Sequence, residues 1–108
     1  MKMIMCIVDD MDAYSLIEGL TKRSIQVTKL TSSGGFLKKG NTTLLIGLED
    51  SQVREVVELV KSLCHPRNEM VSVEPMSLPG EAVIPFSFNV KIGGATIFVL
   101  DVEKYEKV

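Results

Sequence analysis

The sequence predicts an α+β fold. Three observations carry that expectation. Two segments space their apolar residues as one face of a helix, several shorter apolar segments have strand length, and they alternate in the order β-α-β-β-α-β. That order is the ferredoxin-like pattern. The remaining strand-like segments predict an extra hairpin and a long second loop. The chain has 108 residues, of which 45% are hydrophobic and 24% charged, which fits one globular domain spanning 1–108 with a core of its own.

MIMCIV at 3–8 is a continuous apolar run of strand length. Asp9, Asp10 and Asp12 follow it, and acids there suit the positive end of a helix. Ala13, Leu16, Ile17 and Leu20 then recur at helical spacing, with Lys22 and Arg23 at the favourable C-terminal end, so a helix is expected from about residue 12 to 23. IQVTKLT at 25–31 alternates and is β-branched, which predicts a strand. TSSGGFLKKGNTT at 31–43 reads as a loop, and TTLLIGL at 42–48 as the next strand. Gly47 inside that strand marks a bulge or a close approach by another backbone or a ligand.

Glu49-Asp50-Ser51 signals a second helix, whose stripe is Val53, Val56, Val57, Val60 and Leu63, and His65-Pro66 ends it. MVSV at 70–73 is a short strand, and EPMSLPGEA at 74–82 is a loop. FSFNVKI at 86–92 alternates cleanly. Gly93-Gly94 separates it from ATIFVL at 95–100, which predicts a tight hairpin in which both glycines take positive φ. Both helices should pack on one face of a mostly antiparallel sheet. The six methionines and the sparsely charged strands suggest that another subunit covers the other face.

The formal charge of −2 and pI near 5.4 argue against a general nucleic-acid polymer binder. No apolar run is long enough to span a bilayer, and the N-terminal run ends in acids without a cleavage site, so a cytoplasmic protein without membrane attachment is expected. Cys6 and Cys64 read as reduced, buried thiols, and Cys64-His65 lacks the further ligands of a zinc pattern. A single histidine assembles no catalytic set, so neither an enzyme nor a metal site is expected. The acids at 9–12 read as a helix cap.

The loop at 31–43 holds more chemistry. Gly34 and Gly35 can bring backbone N–H groups close to an anion, and Lys38 and Lys39 add charge nearby. Asn41 carries an amide that can pair two-point with an adenine edge, Phe36 can stack on a base, and Thr28 adds a hydroxyl. Each has a plainer reading as turn, tip or tucked side chain. Together they support a nucleotide-like anion and nothing finer.

TKLTSSGGFLKKGNTTLLIGLED at 28–50, with the opening MKMIMCIVDD and KIGGATIFVL at 91–100, closely resembles the PII-like cyclic-di-AMP receptor proteins of Gram-positive bacteria. The resemblance covers nearly the whole chain. It implies a PII-like homotrimer that binds cyclic di-AMP in clefts between subunits, carries out no catalysis, needs no cofactor, and signals to an effector protein by reshaping loops. On matching positions it implies that Thr28 hydrogen-bonds an adenine or phosphate and that Gly35, Phe36 and Leu37 give backbone contacts and apolar cover. Asn41 would recognise an adenine, and Gly47 would let the ligand lie close. The family often has arginine where Gln26 stands and asparagine where Ser24 stands, and both positions belong to the implied site. Glutamine removes a cation near the phosphates, and a neutral hydrogen bond is weaker than a charge-assisted one. The second loop and the KYEKV tail also differ from the family pattern. These departures leave an altered preference, for ATP or another nucleotide, as the alternative.

Overall fold

The computed structural model describes residues 1–30, 40–73 and 86–108. The strands are β1 Lys2–Asp9, β2 Val27–Leu30, β3 Asn41–Leu48, β4 Arg67–Val73, β5 Phe86–Ile92 and β6 Ala95–Asp101; the helices are α1 Asp10–Lys22 and α2 Val53–Leu63. The main sheet has the order β2-β3-β1-β6, and each neighbouring pair in it is antiparallel. With two helices on one face, the arrangement is compatible with a ferredoxin-like fold.

Alternation builds the core. Ile4, Cys6 and Val8 of β1 and Leu44, Ile46 and Leu48 of β3 point to the helix face, where they meet Leu16 and Leu20 of α1 and Val56 and Val60 of α2. The opposite face carries Met3, Met5 and Ile7 of β1, with Leu45 of β3 and Phe98 and Leu100 of β6 beside them in register. Phe98 is 49% exposed and Leu100 40%, so this apolar face has no cover within the chain among the described residues.

α1 begins at Asp9, whose side chain accepts from the Met11 N–H at 3.0 Å, which is the N-cap role that the run of acids suggested. A single 3-10 turn, Asp50–Gln52, leads into α2. There Gln52 Oε1 accepts from the Glu49 N–H at 3.0 Å, completing a capping box.

The predicted hairpin between 86–92 and 95–100 is not formed. β5 pairs antiparallel with β4, and the two make a separate two-stranded ribbon. β6 crosses to the main sheet and pairs with β1 along Lys2↔Asp101 to Val8↔Ala95. The strand that closes the main sheet is therefore β6, not 70–73, which belongs to the ribbon as part of the longer β4. The glycines do take positive φ, +84° at Gly93 and +81° at Gly94, but they redirect the chain between two sheets. Local turn chemistry is the same in both cases, and the difference lies in the strands. β6 carries Ile97 and Val99 on one face and Phe98 and Leu100 on the other. β5 puts Ser87, Asn89 and Lys91 on one face, as a solvated ribbon allows.

Candidate functional site

Among the described residues, Thr28, Asn41 and Gly47 of the expected ligand set lie along one margin of the open sheet face. Thr28 of β2 stands opposite Leu45 of β3, and Leu30 opposite Thr43. Continuing that register sets Gln26 beside Gly47. Because side chains alternate, Asn41, Thr43, Leu45 and Gly47 share one face with Thr28. Gly35, Phe36 and Leu37 lie outside the described residues.

At one end of this strip, an open groove of about 590 Å³ runs along the outer margin of β2 and is lined by Ile17, Thr21, Ser24, Gln26 and Thr28 among others. It gathers Ser24, Gln26 and Thr28. None of its described lining residues is charged, so the groove presents hydroxyls and an amide where a phosphate would call for a cation. Ser24 holds φ +58°, a left-handed conformation that asparagine tolerates better than serine.

Gly47 is exposed, and a Cβ built there would touch only Met1 Cε, at 3.5 Å. No described neighbour within the chain requires glycine. The bare position suits close approach from outside.

Asn41 lies in a different recess. It opposes Asp9 across the β3–β1 ladder and shares with Asp9, Thr96, Gly93 and Gly94 a small cleft of about 180 Å³. Four residues of strand, roughly 13 Å, separate it from the position opposite Thr28. One chain thus splits the described expected residues other than Gly47 between two open recesses. Ligand pockets typically enclose 70–90% of a small molecule, and neither recess does that.

Sequence reasoning missed three features. Thr43, in the middle of the strip, is 4% exposed, and its hydroxyl has no hydrogen-bond partner among the described residues. Its alternation with Asn41 and Gly47 was the available signal. The second is Arg67, which grips Asp12 through two bonds, Nη2 to Oδ1 at 2.6 Å and Nη1 to Oδ2 at 3.1 Å. Asp12 is 5% exposed, so its carboxylate depends on that partner, and the same pairing raises the Arg67 pKa. The third is Asp10, whose carboxylate accepts from the Thr42 hydroxyl. The acids at 9–12 therefore do more than cap a helix.

Both thiols are buried and reduced. Burial pushes Cys6 up to about 12 and Cys64 up to about 11, which leaves neither a nucleophile at neutral pH. Among the described residues, no three metal-ligating side chains come together, and no helix is long and apolar enough to cross a membrane.

Comparison with known proteins gives two findings. The family described as cyclic-di-AMP receptor matches residues 1–108. Among solved structures, a protein of unknown function from Pediococcus pentosaceus ATCC 25745 shares 36% identity at a TM-score of 0.75, over 99% of this chain and 96% of that one.

Proposed function

The chain belongs to the cyclic-di-AMP receptor family, and from that membership we propose that it is a non-enzymatic receptor that binds cyclic di-AMP between the subunits of a homotrimer and passes the signal to an effector protein. The observation that carries the reading is the strip on the open sheet face. It combines an amide at Asn41, a hydroxyl at Thr28, an amide at Gln26 and the bare backbone of Gly47 beside an apolar surface, with the Ser24 hydroxyl in the adjoining groove.

The open recesses support a site between subunits. Each chain leaves its part of the site uncovered, and the adjoining face of Met3, Met5, Phe98 and Leu100 is of the kind that a second copy buries. Asn41 reads an adenine edge by donating and accepting together. Thr28 and Gln26 hydrogen-bond the ribose-phosphate ring, and Gly35, Phe36 and Leu37, outside the described residues, are assigned backbone contacts and apolar cover for the ligand. Two free thiols suit a reducing compartment, in keeping with a cytoplasmic receptor.

Gln26 favours one second reading, a trimeric PII-like regulator with its preference shifted to ATP or another nucleotide. A competition panel separates the two. A labelled cyclic di-AMP displaced by unlabelled cyclic di-AMP but not by ATP supports the receptor. Tight ATP binding that cyclic di-AMP does not displace supports the alternative.

A further inference from the structure

Each acid in the turn between β1 and α1 holds a different part of the chain. The Asp10 N–H donates to the Gly40 carbonyl at 2.9 Å, and the Asp10 carboxylate accepts from the Thr42 hydroxyl. Both bonds fix the point where the glycine loop enters β3, on either side of Asn41. Asp12 holds Arg67, the first residue of β4, through the paired bonds at 2.6 and 3.1 Å. Asp9 Oδ2 lies 3.5 Å from the Gly93 N–H, just past the end of β5. The two feet of the ribbon also pack on each other. Arg67 donates to the His65 carbonyl at 3.2 Å, and a Cβ on Gly93 would lie 2.4 Å from that same oxygen and 2.7 Å from Arg67 Nη1.

From this geometry we infer that the turn Asp9–Asp12 is a coupling element, which ties the Asn41 end of the ligand strip to both feet of the β4–β5 ribbon. Asp10 and Asp12 sit in the first turn of α1 and Asp9 caps it, so the three move as one stiff unit. A shift of Gly40–Thr42 either carries that turn with it or breaks the Asp10 bonds. Movement of the turn changes the Asp12–Arg67 grip and the Asp9–Gly93 approach together. Because Asp9, Asn41, Gly93 and Gly94 line the same cleft, the path between the two elements is short. Thr42 is the positioning residue on the ligand side. It is buried on the helix face and belongs to no ligand contact described above.

The ligand half of this inference rests on the cyclic-di-AMP reading, while the coupling can be tested without it. Amide hydrogen exchange on the intact, ligand-free protein compares the wild type with Thr42→Val. Exchange at 67–69 and 93–95 should rise by roughly 2- to 30-fold, with α2 unchanged as the control, and Thr42→Ser should restore wild-type rates. Unchanged exchange at the ribbon feet in Thr42→Val overturns the coupling. The reverse arm guards against a poorly folded variant: Arg67→Gln should raise exchange at 40–42, and no change there overturns the coupling as well. With saturating cyclic di-AMP, ribbon exchange should shift in the wild type and fail to shift in a Thr42→Val protein that calorimetry shows still binds. A full shift in that variant also overturns the proposal. Loss of binding in the wild type defeats the receptor reading instead, and the ligand-free arms then still decide the coupling.

Discussion

Asn41 stands opposite Asp9 in the β3–β1 ladder, at the end of the strand where the glycine loop arrives and the ribbon leaves. The residue proposed to read an adenine is therefore backed by the residue that caps α1 and approaches the ribbon. This is where the expected ligand chemistry and the mechanics of the fold meet.

Asn41→Ala should weaken cyclic di-AMP binding by about 1–3 kcal/mol, the worth of a two-point amide–adenine pair. Calorimetry reads the affinity, and circular dichroism confirms that the fold is kept. An unchanged affinity would remove Asn41 from the site.

Gln26→Arg should tighten binding. Gln26 is exposed and lies beside the bare Gly47, so an arginine can reach a phosphate placed there without losing an internal partner. A charge-assisted bond in place of a neutral one is worth about 1 kcal/mol more. The gain should shrink as salt is raised. An equal or weaker affinity for the arginine variant would place the phosphates elsewhere.

Phe98→Glu tests the open face. Phe98 faces Met5 in register and is half exposed in the single chain. A carboxylate there would be buried without a partner in any assembly that uses this face. Light scattering should show a trimer for the wild type and smaller species for the variant, while the core stays intact. A variant that remains trimeric would show that the subunits meet elsewhere.

Gly93→Ala should loosen the ribbon foot. The methyl would lie 2.4 Å from a backbone oxygen, at a φ of +84°. The left-handed backbone alone costs about 1–2 kcal/mol for a residue with a Cβ. Thermal unfolding and exchange at 67–69 should both report the loss, and wild-type behaviour in both would contradict the packing described.

The buried thiols set an alkaline limit. Cys6 and Cys64 hold their protons in the fold to about 12 and 11, against an ordinary value of 9.0. The unfolded chain therefore releases these protons first, and stability falls as pH rises from about 9 toward 11. Below pH 9 this contribution is fully present. Denaturant melts across that range should lose midpoint with rising pH, and Cys6→Ala should flatten the slope. At neutral pH, thiol reagents should modify the cysteines only after unfolding.

Much of this was legible in the sequence because it is local. Helical spacing placed α1 and α2 to within two or three residues, apolar segments of strand length placed β1 and β3, and alternation placed β2 and β5. The ribbon was misread because Gly93-Gly94 looks alike in a hairpin and in a crossing between sheets. Only the partner strand decides, and partner choice is non-local. Of the groove residues, Thr28 was singled out as a hydroxyl beside the loop, whereas Ser24 and Gln26 were named only through family resemblance, since their side chains are ordinary for the approach to a β-strand. Arg67–Asp12 could not be read at all. The two residues are 55 positions apart, and nothing in RNEM at 67–70 or DDMD at 9–12 announces a salt bridge.

Titration of the intact protein with cyclic di-AMP tests the central claim most directly. The account predicts saturable binding at one ligand per chain, with ATP unable to compete. No heat at high micromolar ligand with a folded protein, or tight ATP binding indifferent to cyclic di-AMP, would contradict it.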